Sequence, residues 1–103
     1  MKKVEAYIKP LRANDVKNAL NEAGFSSFQM YEVHESMDTS HQERVSGTEY
    51  PVDLVPRSVI RFLVKDNELE DALKLIRKSA KTGNPDDGKI LVTNIDHLEY
   101  IGE

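Results

Sequence analysis

Cysteine is absent from this chain, which excludes disulfide staples and thiolate chemistry. Long apolar runs are missing as well. No stretch approaches membrane-spanning length, and Met1-Lys2-Lys3 leads into an alternating pattern rather than the apolar core of a signal peptide. A cytoplasmic location without membrane insertion is the expectation. Neither sign of charge dominates: 14 basic residues stand against 18 acidic ones, a net charge of −4, and no strongly basic face is visible. Nucleic acid is therefore a poor fit as the main partner. Internal repeats and low-complexity tracts are lacking too. What is there is a chain of 103 residues, 39% hydrophobic and 31% charged, which predicts a single folded domain over 1–103 with one modest core.

Val4, Ala6 and Ile8 alternate with Glu5, Tyr7 and Lys9, a period of two that reads as a strand stopped by Pro10. Val16, Ala19, Leu20 and Ala23 follow at helical spacing, and Gly24 closes the helix. Phe25 to Val33 reads as a second strand, and Val59 to Val64 as a third. Asn67 is placed as a helix N-cap with Glu70 in capping-box position. Leu69, Ala72, Leu73, Ile76 and Ala80 form the apolar stripe of the second helix. Lys89 to Thr93 is the fourth strand, and a short strand around His97 to Tyr100 is expected to follow. The order predicts an α+β, ferredoxin-like βαββαβ sandwich with both helices on one face of the sheet. The other face would carry Tyr7, Tyr31, Val59, Leu63 and Leu91. That is too apolar to leave in water, so a homo-oligomer is expected in preference to a monomer.

Two segments invite functional readings. The first is Thr82-Gly83-Asn84-Pro85-Asp86-Asp87-Gly88-Lys89-Ile90-Leu91-Val92, a turn rich in Gly, Pro and Asp that runs into a β-branched strand. Such turns let backbone approach a ligand and can line up N–H groups as an anion nest, with Lys89 adding a positive charge. An ordinary polar helix-to-strand connection fits the same residues. Adjacent Asp86 and Asp87 suggest acid–base work, but no nucleophile lies near in sequence, and capping the turn's own N–H groups is the simpler role. No catalytic residue is assigned, and an enzyme is not expected. The second segment is the connection from His34 to Arg57, long for a compact domain and carrying Glu35, Asp38, Glu43, Glu49 and Asp53. It suits partner binding, as it suits a solvated insertion. His34, His41 and His97 lack metal-ligand spacing and read as solvated polar residues, so no metal site is assigned.

Four stretches in order resemble the PII signal-transduction proteins over nearly the whole chain. Met1 to Pro10 is similar to that family's first strand, and Asp15-Val16-Lys17-Asn18-Ala19-Leu20 to its first helix. Gly47-Thr48-Glu49-Tyr50-Pro51-Val52-Asp53-Leu54-Val55-Pro56-Arg57 resembles the end of its long T-loop. Thr82 to Ile90 resembles its phosphate-contacting B-loop. The resemblance implies a homotrimer that binds adenine nucleotides in clefts between subunits. It assigns 34–57 as the T-loop that docks on a transporter or regulatory protein, and 81–89 as the B-loop. It implies nucleotide-binding roles for Gln29, Leu63, Gly83, Asp86, Asp87, Gly88 and Lys89, with ordinary sheet-face packing an equal reading for Gln29. Tyr50 matches a position at which some members are uridylylated, and Thr48 lies near a phosphorylation position.

The departures from that family's pattern sharpen the expectation. Its nitrogen sensors carry Gly-x-Gly-Arg-Gln-Lys at the T-loop base; here the stretch is Glu35-Ser36-Met37-Asp38-Thr39. Two C-terminal arginines that reach polyphosphate are replaced by Tyr100 and Gly102. Each charge-assisted hydrogen bond to phosphate contributes about 1.5–3 kcal/mol, so losing several predicts AMP or ADP as ligand over Mg-ATP, without an ordinary 2-oxoglutarate response. Arg57 stands where nitrogen sensors have lysine, and its fork suits a small carboxylate or bicarbonate; a surface pair with Asp53 or Glu49 is the plainer alternative. By resemblance the chain looks more like PII branches associated with carboxysomes and bicarbonate transport. A nitrogen regulator sensing ATP, ADP and 2-oxoglutarate and controlling an ammonium transporter is the alternative, and a ligand-free structural trimer is another.

Overall fold

The computed structural model describes residues 1–36 and 54–102. Strand β1 (Lys2–Ile8) is followed by a 3-10 turn (Pro10–Arg12) and helix α1 (Ala13–Glu22). Strands β2 (Phe28–Ser36) and β3 (Leu54–Val64) come next, then a second 3-10 turn (Asp66–Glu68), helix α2 (Leu69–Ala80) and strand β4 (Gly88–Asn94). All pairings are antiparallel and the sheet order is β2-β3-β1-β4. This is the expected βαββαβ ferredoxin-like arrangement.

Alternation decides which side of the sheet each residue faces. Val4, Ala6 and Ile8 of β1 and Ile60, Phe62 and Val64 of β3 are buried against Val16 and Leu20 of α1 and Ala72, Ile76 and Ala80 of α2. Phe25, just before β2, packs its ring 5.9 Å from that of Phe62. Arg12 fastens the two helical segments together: its Nε and Nη2 donate to the Ser79 carbonyl at 3.1 and 2.7 Å, satisfying an oxygen in the last turn of α2.

The opposite face follows from the register. One row across it reads Tyr31, Val59, Tyr7, Lys89, and the next reads Gln29, Arg61, Glu5, Leu91. The apolar set expected on this face is all there, with Leu63 beside Lys3. Val59 is fully buried within the single chain, while Tyr31, Leu63 and Leu91 remain exposed.

Three details differ from expectation. The capping contact ahead of α2 belongs to Glu68, whose carboxylate accepts from the Lys65 N–H at 3.0 Å; Asn67 sits inside the 3-10 turn, and Glu70 has already entered the helix. Residues His97 to Tyr100 form no strand, because within one chain they pair with neither edge of the sheet. Finally, β2 begins at Phe28, later than expected, but it and β3 run further in the other direction. They pair out to Ser36 and Leu54, so both ends of the long connection belong to a ladder.

Candidate functional site

The turn after α2 is shaped by one of its own carboxylates. Asp87 accepts from the backbone N–H groups of Thr82 (2.7 Å) and Gly83 (3.0 Å) and from the Thr82 hydroxyl. Lys9, at the end of β1, reaches in from behind, with Nζ 3.3 Å from Asp87 and 3.4 Å from Asp86. The Thr82 hydroxyl first, then these amides and Lys9, hold the Asp87 carboxyl far below the usual carboxylate range. Gly83 has φ +93°, which a side chain disfavours. Gly88 is more tightly constrained. Its φ is +131°, and a Cβ there would stand 1.9 Å from the carbonyl oxygen of Tyr7. Only glycine lets β4 start this close to β1.

Lys89 therefore leaves the turn at a fixed height on the open face. Its ammonium lies 4.9 Å from the centre of the Tyr7 ring, a cation–π arrangement. It also pairs with Glu35 Oε1 at 3.0 Å. The other oxygen of Glu35 is 3.5 Å from Nε of Arg57, a side chain that is only 8% exposed. Nε of Arg57 has no hydrogen-bond partner among the described residues. Two cations from β3 and β4 thus converge on one carboxylate delivered by β2. Arg57 is not a surface residue: its side chain is buried and faces Glu35, while the pairing with Asp53 or Glu49 lies outside the described residues. Sequence reasoning missed Glu35 as a partner of Lys89, and it missed Tyr7 beneath the lysine.

A second polar group sits further along the same face. Arg61 donates from Nε (2.9 Å) and Nη2 (2.6 Å) to the Gln29 side-chain oxygen, and its guanidinium is 5.3 Å from the centre of the Tyr31 ring. Gln29 is therefore held with its side-chain oxygen occupied by Arg61. Gly83, Asp86, Asp87, Gly88 and Lys89 come together at the turn. Gln29 and Leu63 lie on the other side of the Tyr7–Val59 row from Glu35 and Arg57. The turn and the Gln29–Arg61 pair thus lie apart on one face, toward opposite edges of the sheet. The turn also ends an open groove of about 830 Å³ between α2 and β4, whose floor includes Ile76, Ile90 and Val92.

The expectations at Tyr50, Thr48, Asp38, Thr39, His41, Glu49 and Asp53 fall outside the described residues. Among the described residues, no three histidines or carboxylates are grouped to hold a metal ion, and no helix is long and apolar enough to cross a membrane.

Comparison with known proteins covers nearly the full chain. Residues 1–102 match the family described as nitrogen regulatory protein P-II. A protein of that name from Mesorhizobium japonicum is 41% identical over 102 residues, spanning 98% of this chain and 91% of the relative. One from Bradyrhizobium diazoefficiens is 40% identical over 97 residues, 93% of this chain and 87% of the relative. One from the alga Porphyra purpurea is 33% identical over 99 residues, 95% and 88% of the two chains.

Proposed function

Because this chain belongs to the nitrogen regulatory protein P-II family, a family of signalling proteins, we propose that it is a trimeric sensor of adenine nucleotides. AMP or ADP is the favoured ligand, and its phosphate is held by Lys89 at the 81–89 turn. One observation carries the reading: Lys89 and Arg57 converge on a single anionic group beside a Gly-rich turn that its own Asp87 keeps in shape. A ligand phosphate takes the same kind of contact that Glu35 makes. The base is received by Gln29 and the backbone near Leu63 of a neighbouring copy, which explains why one chain carries these groups at opposite ends of a face. The exposed apolar residues of that face, Tyr31, Leu63 and Leu91, supply the surface through which copies associate. The segment 34–57 is the output element, acting on a transporter or regulatory protein, and Tyr50 within it is the modification position. Both carboxylates of the turn are engaged, by amides, hydroxyl and lysine, so the site binds rather than catalyses.

Weak triphosphate binding follows from the side chains at three positions: Asp38, Tyr100 and Gly102 provide no cation. Arg57, which here already faces a carboxylate, is the proposed residue for a small carboxylate or bicarbonate and supports a link to inorganic carbon. A second reading is favoured by the relatives, which are named as nitrogen regulators: sensing of ATP, ADP and 2-oxoglutarate, with control of an ammonium transporter. Calorimetry with AMP, ADP, ATP and ATP plus 2-oxoglutarate separates the two. Micromolar AMP or ADP binding, weaker ATP and no effect of 2-oxoglutarate is the expected pattern. Tight, mutually cooperative binding of ATP and 2-oxoglutarate selects the second reading. Lys89→Ala is expected to abolish nucleotide binding and leave the assembly intact.

A further inference from the structure

Glu35 deserves the question that its two partners raise: why is a carboxylate placed where an anionic ligand is to bind? It sits in β2, one residue before that strand ends. One oxygen is 3.0 Å from Lys89 and the other 3.5 Å from Arg57. We propose that Glu35 is a specificity-determining residue of the phosphate site, an internal anion that a ligand phosphate must displace from Lys89. The inference rests on the reading that Lys89 holds a nucleotide phosphate, and it adds a cost that the nucleotide has to overcome.

Three physical features support it. Lys89 is the mobile partner: its side chain is 55% exposed, and a lysine presents a compact charge on a flexible stem. Arg57 is the fixed partner, buried and always charged, so it stays behind when Lys89 turns away. Glu35 itself is 27% exposed and bridges the two. When a phosphate engages Lys89, the carboxylate keeps Arg57 and loses only the outer half of its bridge. That makes displacement feasible. It still sets a threshold, because a carboxylate left close to the incoming phosphate repels it, in a partly buried setting where screening is reduced. A nucleoside with no phosphate leaves the bridge intact and meets no threshold, so Glu35 lowers the affinity of phosphate-bearing ligands relative to the nucleoside and sets how strongly a phosphate must bind Lys89 to enter.

The test is calorimetry with ADP, AMP and adenosine on the full chain, wild type against Glu35→Gln, which keeps shape and removes charge. ADP and AMP are expected to bind the variant about fivefold or more tightly, with adenosine unchanged. A variant that binds ADP no better than wild type, or a gain shared equally by adenosine, overturns the inference while leaving the nucleotide reading standing. If neither wild type nor variant binds any adenine nucleotide, that reading falls and this one with it. Glu35→Asp, which retracts the carboxylate by one methylene, provides a second measurement with a smaller gain in the same direction. Melting temperatures of all variants separate a structural ion pair from a competitor: a lower Tm with unchanged ADP affinity assigns Glu35 to structure alone.

Discussion

Asp87 accepts hydrogen bonds from Thr82 and Gly83 and lies against Lys9, and each contact favours its ionised form. Its folded-state pKa is therefore depressed, so its stabilisation is complete above the ordinary carboxylate range and is lost as pH falls toward the depressed value. Asp87→Asn is expected to lower the melting temperature by several degrees at pH 7. The gap should narrow once the pH drops below about 4, the unperturbed carboxylate value; an equal gap at pH 7 and pH 3 contradicts this assignment. Gly88 is the other decisive residue. A Cβ 1.9 Å from the Tyr7 carbonyl oxygen forces the two strands apart. Gly88→Ala is expected to lower stability in urea titration by roughly 2–3 kcal/mol, and to weaken nucleotide binding by moving Lys89. Its glycine requirement is backbone contact, a reason the sequence alone shows only as a glycine in a turn.

At the scale of elements, the helices bind to the sheet through a few fully buried side chains. Leu20 of α1 is one of them, and Leu20→Ala is expected to lower unfolding free energy by about 2–5 kcal/mol in a denaturant titration. Elements of this kind were legible in the sequence, because Val16 and Leu20 repeat at the helical period while Val4, Ala6 and Ile8 alternate at the strand period. His97 to Tyr100 also alternates, yet local pattern says nothing about whether a partner edge exists, and no strand forms. The same limit explains why Glu35 was not foreseen beside Lys89. By register, Glu35 lies opposite Val55, while Lys89 shares a row with Val59 and Tyr7. In a flat sheet that is a separation of roughly 20 Å, from four residues of rise and three strand spacings. The 3.0 Å contact requires the long β2–β3 hairpin to twist over the open face. Long-range twist is set by packing rather than by any run of residues, and the composition of the turn at 81–89 pointed to Lys89 without its counter-charge.

Considered as a whole, the molecule has one finished face and one unfinished face. The helix side is closed around its core, while the other side leaves Tyr31, Leu63 and Leu91 exposed beside Lys89, Arg57 and Arg61. Light scattering is expected to give the mass of three chains, and Leu63→Asp to shift it toward one, since a buried unpaired carboxylate at a subunit contact is costly. A particle that is monomeric as wild type removes the neighbour on which the base-binding half depends. The most direct measurement is a crystal structure grown with excess ADP. The expected result is a phosphate oxygen within hydrogen-bond distance of Lys89 Nζ, at a seam where a second copy presents Gln29 and Leu63 to the base. Nucleotide density away from Lys89, or a seam that stays empty at saturating ADP, contradicts the central claim.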